Sequence, residues 1–223
     1  MRKLIFLSLI LLLASGCGSV PFDSPQLSPL QDEVAAPECI NRFQDRVAEK
    51  SNLQSTVVFD GWTKTFSALG ILSIDRQEQT FELVGMSPMG FKIFELAGNQ
   101  QEVTHSYIMD QIPKKKLFLQ AIAREVRRIY FNLVPDLDTA SINTEKQKVV
   151  LKSEDNNGTL HFTYGGKDCN LISKRFYDNN GDLLWKVRYF EYRDKDNKSY
   201  PGGIILNNHN YGYQLTITLK EIK

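Results

Sequence analysis

The stretch "FELVGMSPMGFKIFEL", Phe81–Leu96, decides the fold class. Phe81 and Leu83 begin a period-two alternation, the pattern of a strand with one face on a core. Phe91-Lys-Ile-Phe94 reads as the next strand. Between them lies Gly85-Met-Ser-Pro-Met-Gly90, where a hairpin more often carries Asn-Gly or Asp-Gly. Pro88 stiffens a turn that Gly85 and Gly90 allow to bend sharply. Met86 and Met89 then have two readings. Either the turn folds inward and they fill the core, or they line a site that admits variable apolar shapes.

Period two extends in both directions. Upstream it covers Val57/Phe59 and Phe66–Ile74; downstream it covers roughly Glu102–Met109. Later, Val149–Leu151 and Leu160–Tyr164 flank the turn signal "EDNNG", and Ile172–Tyr177 and Leu183–Tyr192 flank "DNNGD". Ile204–Leu206 and Tyr211–Leu219 finish the chain. The last strand sets Tyr213, Leu215, Ile217 and Leu219 on one face. Trp62, Phe162, Trp185 and Tyr189 add aromatic bulk.

One segment breaks the alternation. After Pro113, "KKKLFLQAIAREVRRIYFNLV" carries Phe118, Ile122, Val126, Ile129 and Leu133 at helical spacing, and Pro135 closes it. Lys114–Lys116, Arg124, Arg127 and Arg128 form a basic face, either solvated or turned to anionic lipid or a partner. A shorter helix is expected over Glu38–Lys50, from Ile40, Phe43 and Val47. The fold class is therefore mainly β with helices, a long antiparallel sheet and one inserted helix. Such a sheet can pack the helix as a solid core or curl into a partial barrel with the helix as its plug.

The amino terminus reads as an export signal. Met1-Arg2-Lys3 precede the apolar run Leu4–Ala14 and the small residues Ser15-Gly16. The run is shorter than the ~20 residues of a membrane-spanning helix. Removing residues 1–16 takes two of the 27 basic residues and leaves 25 against 26 acidic, so the body is near neutral. That excludes a strongly basic nucleic-acid protein. Residues 17–37 are rich in Pro, Ser and small residues and read as a tether; 38–223 read as a single domain.

Besides Cys17, the chain has Cys39 and Cys169. In an oxidising compartment such a pair reads as a disulfide, with two buried thiols as the alternative. Candidate catalytic groups are scattered. His105, His161 and His209 have no neighbour at metal-ligand spacing. Ser87 is followed by a proline where a nucleophile elbow turns into a helix. Asp60, Glu82 and Glu95 are dispersed, and no Gly-rich phosphate loop is present. The expectation is no enzyme, no metal and no cofactor.

"LASGC" resembles the bacterial lipobox, which implies cleavage after Gly16 and lipidation of Cys17; an ordinary signal peptide leaving a free Cys is the alternative. Gly18-Ser19 in place of an Asp resembles the sequence of outer-membrane-routed lipoproteins, facing the periplasm. "FELVGMSPMG" is similar to the F-x-L-x-x-x-x-P-L-G pattern of the outer-membrane lipoprotein receptor LolB, with Pro88 and Gly90 as anchors. The wider layout, including "PGGIILNNHNYGYQLTITL", resembles the LolA/LolB superfamily. Within it the chain is similar to an uncharacterised family of bacterial lipoproteins, some encoded with aryl polyene pathways.

The resemblance implies an unclosed antiparallel β-barrel with a helical lid over a cavity for hydrophobic cargo: a lipid, an acyl chain or a lipoprotein. Cargo-lining candidates are Leu83, Met86, Met89, Phe91, Phe94, Phe118, Ile122, Val126 and Ile129. The chain departs from LolB in lacking an obvious exposed-leucine membrane loop. A second expectation is an assembly lipoprotein with a filled core that docks an envelope protein. A third, an envelope hydrolase, has no residue that nominates itself.

Overall fold

Alternation in the sequence becomes twelve antiparallel strands in one sheet. The structure, a computed structural model, describes residues 20–23, 36–61, 64–145, 148–155 and 157–222. The expected signal segment, Cys17, most of the expected tether and Trp62 lie outside these residues.

Helix α1 (Ala36–Arg46) leads into β1 (Lys50–Gly61), β2 (Thr65–Asp75), β3 (Thr80–Met86), β4 (Lys92–Gly98) and β5 (Val103–Ile108). Helix α2 (Lys115–Tyr130) follows. Then come β6 (Ser141–Glu145), β7 (Lys148–Asp155), β8 (Gly158–Gly165), β9 (Asn170–Asp178), β10 (Leu183–Lys195), β11 (Lys198–Asn208) and β12 (Tyr213–Ile222).

The spatial order is β5-β4-β3-β2-β1-β12-β11-β10-β9-β8-β7-β6. Each half is a meander, and the two halves join where β1 pairs with β12, Val57 opposite Ile217. The sheet is open between β5 and β6, and α2 is the connection between those two edges. The core lies on the concave face. It takes Leu53, Leu72, Phe81, Leu96, Leu151, Phe162, Tyr164, Val187, Ile204 and Leu219 from the strands, and Ile40, Phe43, Val126 and Ile129 from the helices.

Two boundaries differ from the sequence expectation. The leading helix stops at Arg46 and the first strand starts at Lys50, six residues before Thr56. The Arg46 guanidinium donates to the Asp168 carbonyl at 3.0 Å and to Asp194 at 2.9 Å, which holds the helix end against the β8–β9 and β10–β11 turns. Strand β6 was not expected, because all five of its residues are exposed and carry no apolar alternation.

The Cys39–Cys169 disulfide forms, tying α1 to the β8–β9 turn across 130 positions. In the chain-entropy account, closing a loop of that length stabilises by about 4–5 kcal/mol.

Candidate functional site

The apolar hollow of the sheet is occupied by α2. Leu119, Ala123, Val126, Ile129 and Tyr130 are buried, and Phe118 and Ile122 lie half-buried at the flank. The sheet is curved enough to swallow a wider helical face than the i, i+4 stripe, so Leu119, Ala123 and Tyr130 join it. Phe118 meets Phe94 of β4 edge-on, ring centres 5.6 Å apart.

Beneath this apolar contact the helix sits on polar groups. The Glu125 side chain is only 7% exposed, and its Oε1 accepts from Tyr213 Oη at 2.6 Å, Arg124 Nε at 3.0 Å and Arg128 Nη1 at 3.0 Å. Asn208 Nδ2 completes the group, donating to Tyr213 Oη at 3.0 Å. Burial, then the Glu125 carboxylate, pushes the Tyr213 phenol up to about 12. The Arg128 guanidinium also lies over the Trp185 ring, 5.0 Å from its centre.

The helix's carboxyl end is held by the opposite half-sheet. Lys174 Nζ donates to the carbonyls of Arg128 and Phe131, each at 2.8 Å. These are carbonyls that a helix end leaves without intrahelical partners, and a lysine there also complements the helix dipole. Tyr189 Oη donates to the Ile129 carbonyl at 2.7 Å and Tyr164 Oη to the Leu133 carbonyl at 2.6 Å. Burial, with Arg128 nearby, pushes the Lys174 ammonium down to about 7. The lid is thus seated by four anchors: Glu125, Lys174, Tyr189 and Tyr164.

Among the described residues, the pocket left beside α2 is small. A pocket of about 50 Å³ lies between Phe43, Leu53, Ile129, Leu133, Tyr189 and Leu219. Ligand pockets commonly measure ~300–1,000 Å³. In this conformation the lid fills the hollow.

The expected cargo residues divide into two groups. Leu83, Phe94, Phe118, Ile122, Val126 and Ile129 come together on the concave side under or beside the lid. The β3–β4 turn does the opposite of folding inward: Met89 is 84% and Phe91 68% exposed, and Met86 is half-buried. The Ser87 hydroxyl accepts the Phe91 N–H and its carbonyl accepts the Gly90 N–H, closing the turn on itself. Gly90 takes φ +85°, a conformation glycine adopts without strain. Leu117, 61% exposed, adds an apolar side chain at the start of α2. The three arginines of the basic face of α2 are engaged within the fold, while Lys114 and Lys116 are exposed. Arg124 and Arg128 serve Glu125, and Arg127 donates to the Asn99 and Glu102 carbonyls of the β4–β5 turn.

Sequence reasoning passed over Glu125 and Lys174. A signal existed for both. Glu125 is three residues past Ile122 and four before Ile129, so it shares their face; Lys174 has the parity of Phe176 and so points inward. Among the described residues no group of three or more His, Cys, Asp or Glu could hold a metal ion. None of the described helices is long and apolar enough to cross a membrane.

The fold is that of known proteins. It is similar to a LolA superfamily protein of Nitrosomonas europaea, with a TM-score of 0.56 at 8% identity over 86% of this chain and 94% of that one. It is also similar to a domain described as an outer membrane lipoprotein-sorting protein, from Vibrio parahaemolyticus. There the TM-score is 0.50 at 11% identity, over 84% and 89% of the two chains. At these identities the likeness is one of fold alone. The open antiparallel sheet with its inserted helix is accordingly LolA-like. No curated protein matches the chain. A family model described as "Protein of unknown function (DUF3261)" matches residues 53–221, from β1 to β12, and the chain belongs to that family.

Proposed function

We propose that the protein is an envelope lipoprotein, anchored through Cys17 to the periplasmic face of the outer membrane, that binds and passes on a hydrophobic cargo. The cargo takes the place of α2 on the concave face, so the filled conformation is the closed, empty state. The LolA-like fold, the lipobox-like "LASGC" and the disulfide support this reading. The observation that carries it is the seat of the lid: an apolar helix face laid on an apolar hollow and fixed by a few buried polar anchors.

The energetics suit exchange. Uncovering the buried apolar side chains of α2 costs about 1.5–3 kcal/mol each, roughly 10 kcal/mol in all. At ~0.8 kcal/mol per methylene, an acyl chain of about a dozen methylenes offsets that cost. Cargo can therefore enter and leave without a covalent step, and no catalytic residue is needed. Leu83, Phe94, Val126 and Ile129 would contact it, with Phe118 and Ile122 at the lid's flank. Exposed Met89, Phe91 and Leu117 supply apolar surface where cargo could cross to or from a donor protein.

The small interior favours a second reading, an assembly lipoprotein whose core never opens and which docks a protein partner. Native mass spectrometry with lipid extraction on protein purified from an envelope separates the two. Cargo binding predicts a stoichiometric apolar adduct on the parent chain and none on a folded Ile122→Asp variant. A parent that stays clean when offered lipid removes the cargo reading and leaves the partner-docking one.

A further inference from the structure

The convex face of the carboxyl-terminal half carries a row of basic side chains, four of them Lys or Arg and one His, that the cargo reading does not use. Lys152 of β7 stands opposite His161 of β8, His161 opposite Arg175 of β9, and Arg175 opposite Lys186 of β10. Their strand neighbours Leu151, Phe162, Lys174 and Val187 are buried on the concave side, so these four point outward. Arg188 follows on the same face, its guanidinium 5.4 Å from the Phe190 ring centre.

Like charges directly opposite one another weaken a sheet. Among the described residues no carboxylate forms an ion pair with any of the five. The buried Nε atoms of Arg175 and Arg188 have no partner. Of the acids on that side, Glu154, Asp155 and Asp178 gather near His161 at the β7–β8 and β9–β10 turns, and Glu191 lies by the Phe22 segment, paired with Arg193 at 3.7 Å. Burial and the neighbouring Arg175 and Arg188 push the Lys186 ammonium down to about 8. Burial, Lys152 and Arg175 lower His161. The row is thus kept in place at a cost to the sheet, and what complements it is an extended anionic surface.

Next to the row, the chain's own amino-terminal segment is clipped to the same face. Phe22 is 9% exposed, packed on Phe190 at 5.5 Å between ring centres and against Ile205. Gly203 makes the notch, since a Cβ there would come within 2.5 Å of the Phe22 ring. Asp23 N–H donates to the Glu191 carboxylate at 3.2 Å. Cys17 is five residues from Phe22, a span of at most about 18 Å when extended. Without the clip, the next described residue tied to the body is Ala36, 19 positions from Cys17, a span of at most about 68 Å.

We infer that this convex face lies on the anionic lipid headgroups of the leaflet that holds the chain, with Phe22 as the clip that sets the orientation. The inference rests on the reading of Cys17 as the anchor. Lipid phosphates would run along Lys152, His161, Arg175, Lys186 and Arg188, and the concave side would face away from the bilayer surface.

The test reconstitutes the full chain in vesicles of phosphatidylcholine alone or with phosphatidylglycerol, and reads amine labelling of each lysine by mass spectrometry. Lys152 and Lys186 should be protected several-fold with phosphatidylglycerol, with Lys50 and Lys92 unchanged. Protection should vanish near 1 M salt, where the screening length falls to about 3 Å. An Arg175→Gln/Lys186→Gln variant should lose the protection of Lys152. A chain that floats with both vesicles but labels equally on both keeps the anchor and overturns this inference. One that floats only with phosphatidylglycerol, and is protected there, keeps the inference and removes the anchor. Equal protection by soluble heparin would overturn the lipid assignment in favour of a soluble polyanion.

Discussion

Lys174 of β9 donates to the main-chain carbonyl of Phe131, at the carboxyl end of α2, over 2.8 Å. Its ammonium is fully buried, and burial holds it near 7 instead of the ordinary 10.5. Below about pH 7 both folded and unfolded chains carry the proton, and the cost of burying the charge is fully present. Between 7 and 10.5 the unfolded chain keeps a proton that the folded one has shed, so stability rises with pH. The expected outcome is that wild type gains on a Lys174→Met variant across that window, with a slope of at most about 1.4 kcal/mol per pH unit. Urea unfolding of both at several pH values checks it. Above pH 10 the buried phenols of Tyr164 and Tyr189, raised by burial, act in the opposite direction.

Removing Glu125 takes a shared acceptor from Arg124 and Arg128. Glu125→Ala should destabilise by about 1–3 kcal/mol, the cost of lost charge-assisted hydrogen bonds, because Arg124 and Arg128 keep partial contact with solvent. Glu125→Gln should cost less and let the Tyr213 phenol fall part of the way back toward 10, because burial, the larger cause, remains. Chemical denaturation and ultraviolet titration read the two effects.

Replacing Cys39 and Cys169 together by Ala should cost about 2–5 kcal/mol in urea unfolding, with unfolding rather than ligand contact as the readout. An unchanged midpoint would mean that the reduced chain already holds α1 in place.

Gly203→Val should expel Phe22 from its notch. Limited proteolysis should then cut near residues 20–23, and Phe22→Ala should reproduce the cleavage, while the unfolding free energy of the body falls by no more than about 3 kcal/mol, the burial of one phenylalanine. Cleavage unaltered in both variants would refute the clip.

Neutralising one member of the convex row should relieve repulsion. Lys186→Gln is expected to stabilise by about 0.2–1 kcal/mol, the size of a cross-strand pair term. A thermal melt at low salt measures it, and high salt should shrink the difference.

Much of the architecture could be read directly from the residues. Strict alternation at Tyr213–Leu219 and the Pro113 and Pro135 brackets around α2 carry local physics, and local physics survives folding. The cysteine pair followed from compartment and count. What escaped depends on where distant segments meet. The Met-Pro-Met turn points outward because Ser87 closes it locally, and composition alone suggested an interior. Glu125 and Lys174 occupy inward-facing positions in the sequence pattern, but the partners that make a buried charge tolerable there come from distant segments, Tyr213 for Glu125 and the α2 carbonyls for Lys174. The basic row exists only in the register that sets Arg175 opposite Lys186. Phe22 lies in a stretch whose composition reads as a free tether, and its notch is made 181 positions later by Gly203.

The seam where Val57 meets Ile217 has a consequence for how the chain folds. Each half-sheet is built from neighbouring hairpins and can zip up as its residues arrive. The seam cannot, because its partners are the first and last strands in chain order, and closing so long a loop is entropically slow. Until the carboxyl terminus has been delivered, β1 presents an unpaired edge, and α2 has only half a floor to lie on. Completion is therefore a late, concerted event in which the last strand docks, the helix settles, and Cys39 finds Cys169. A chain shortened by its final strand should accumulate as two open-edged pieces, prone to pair with other copies.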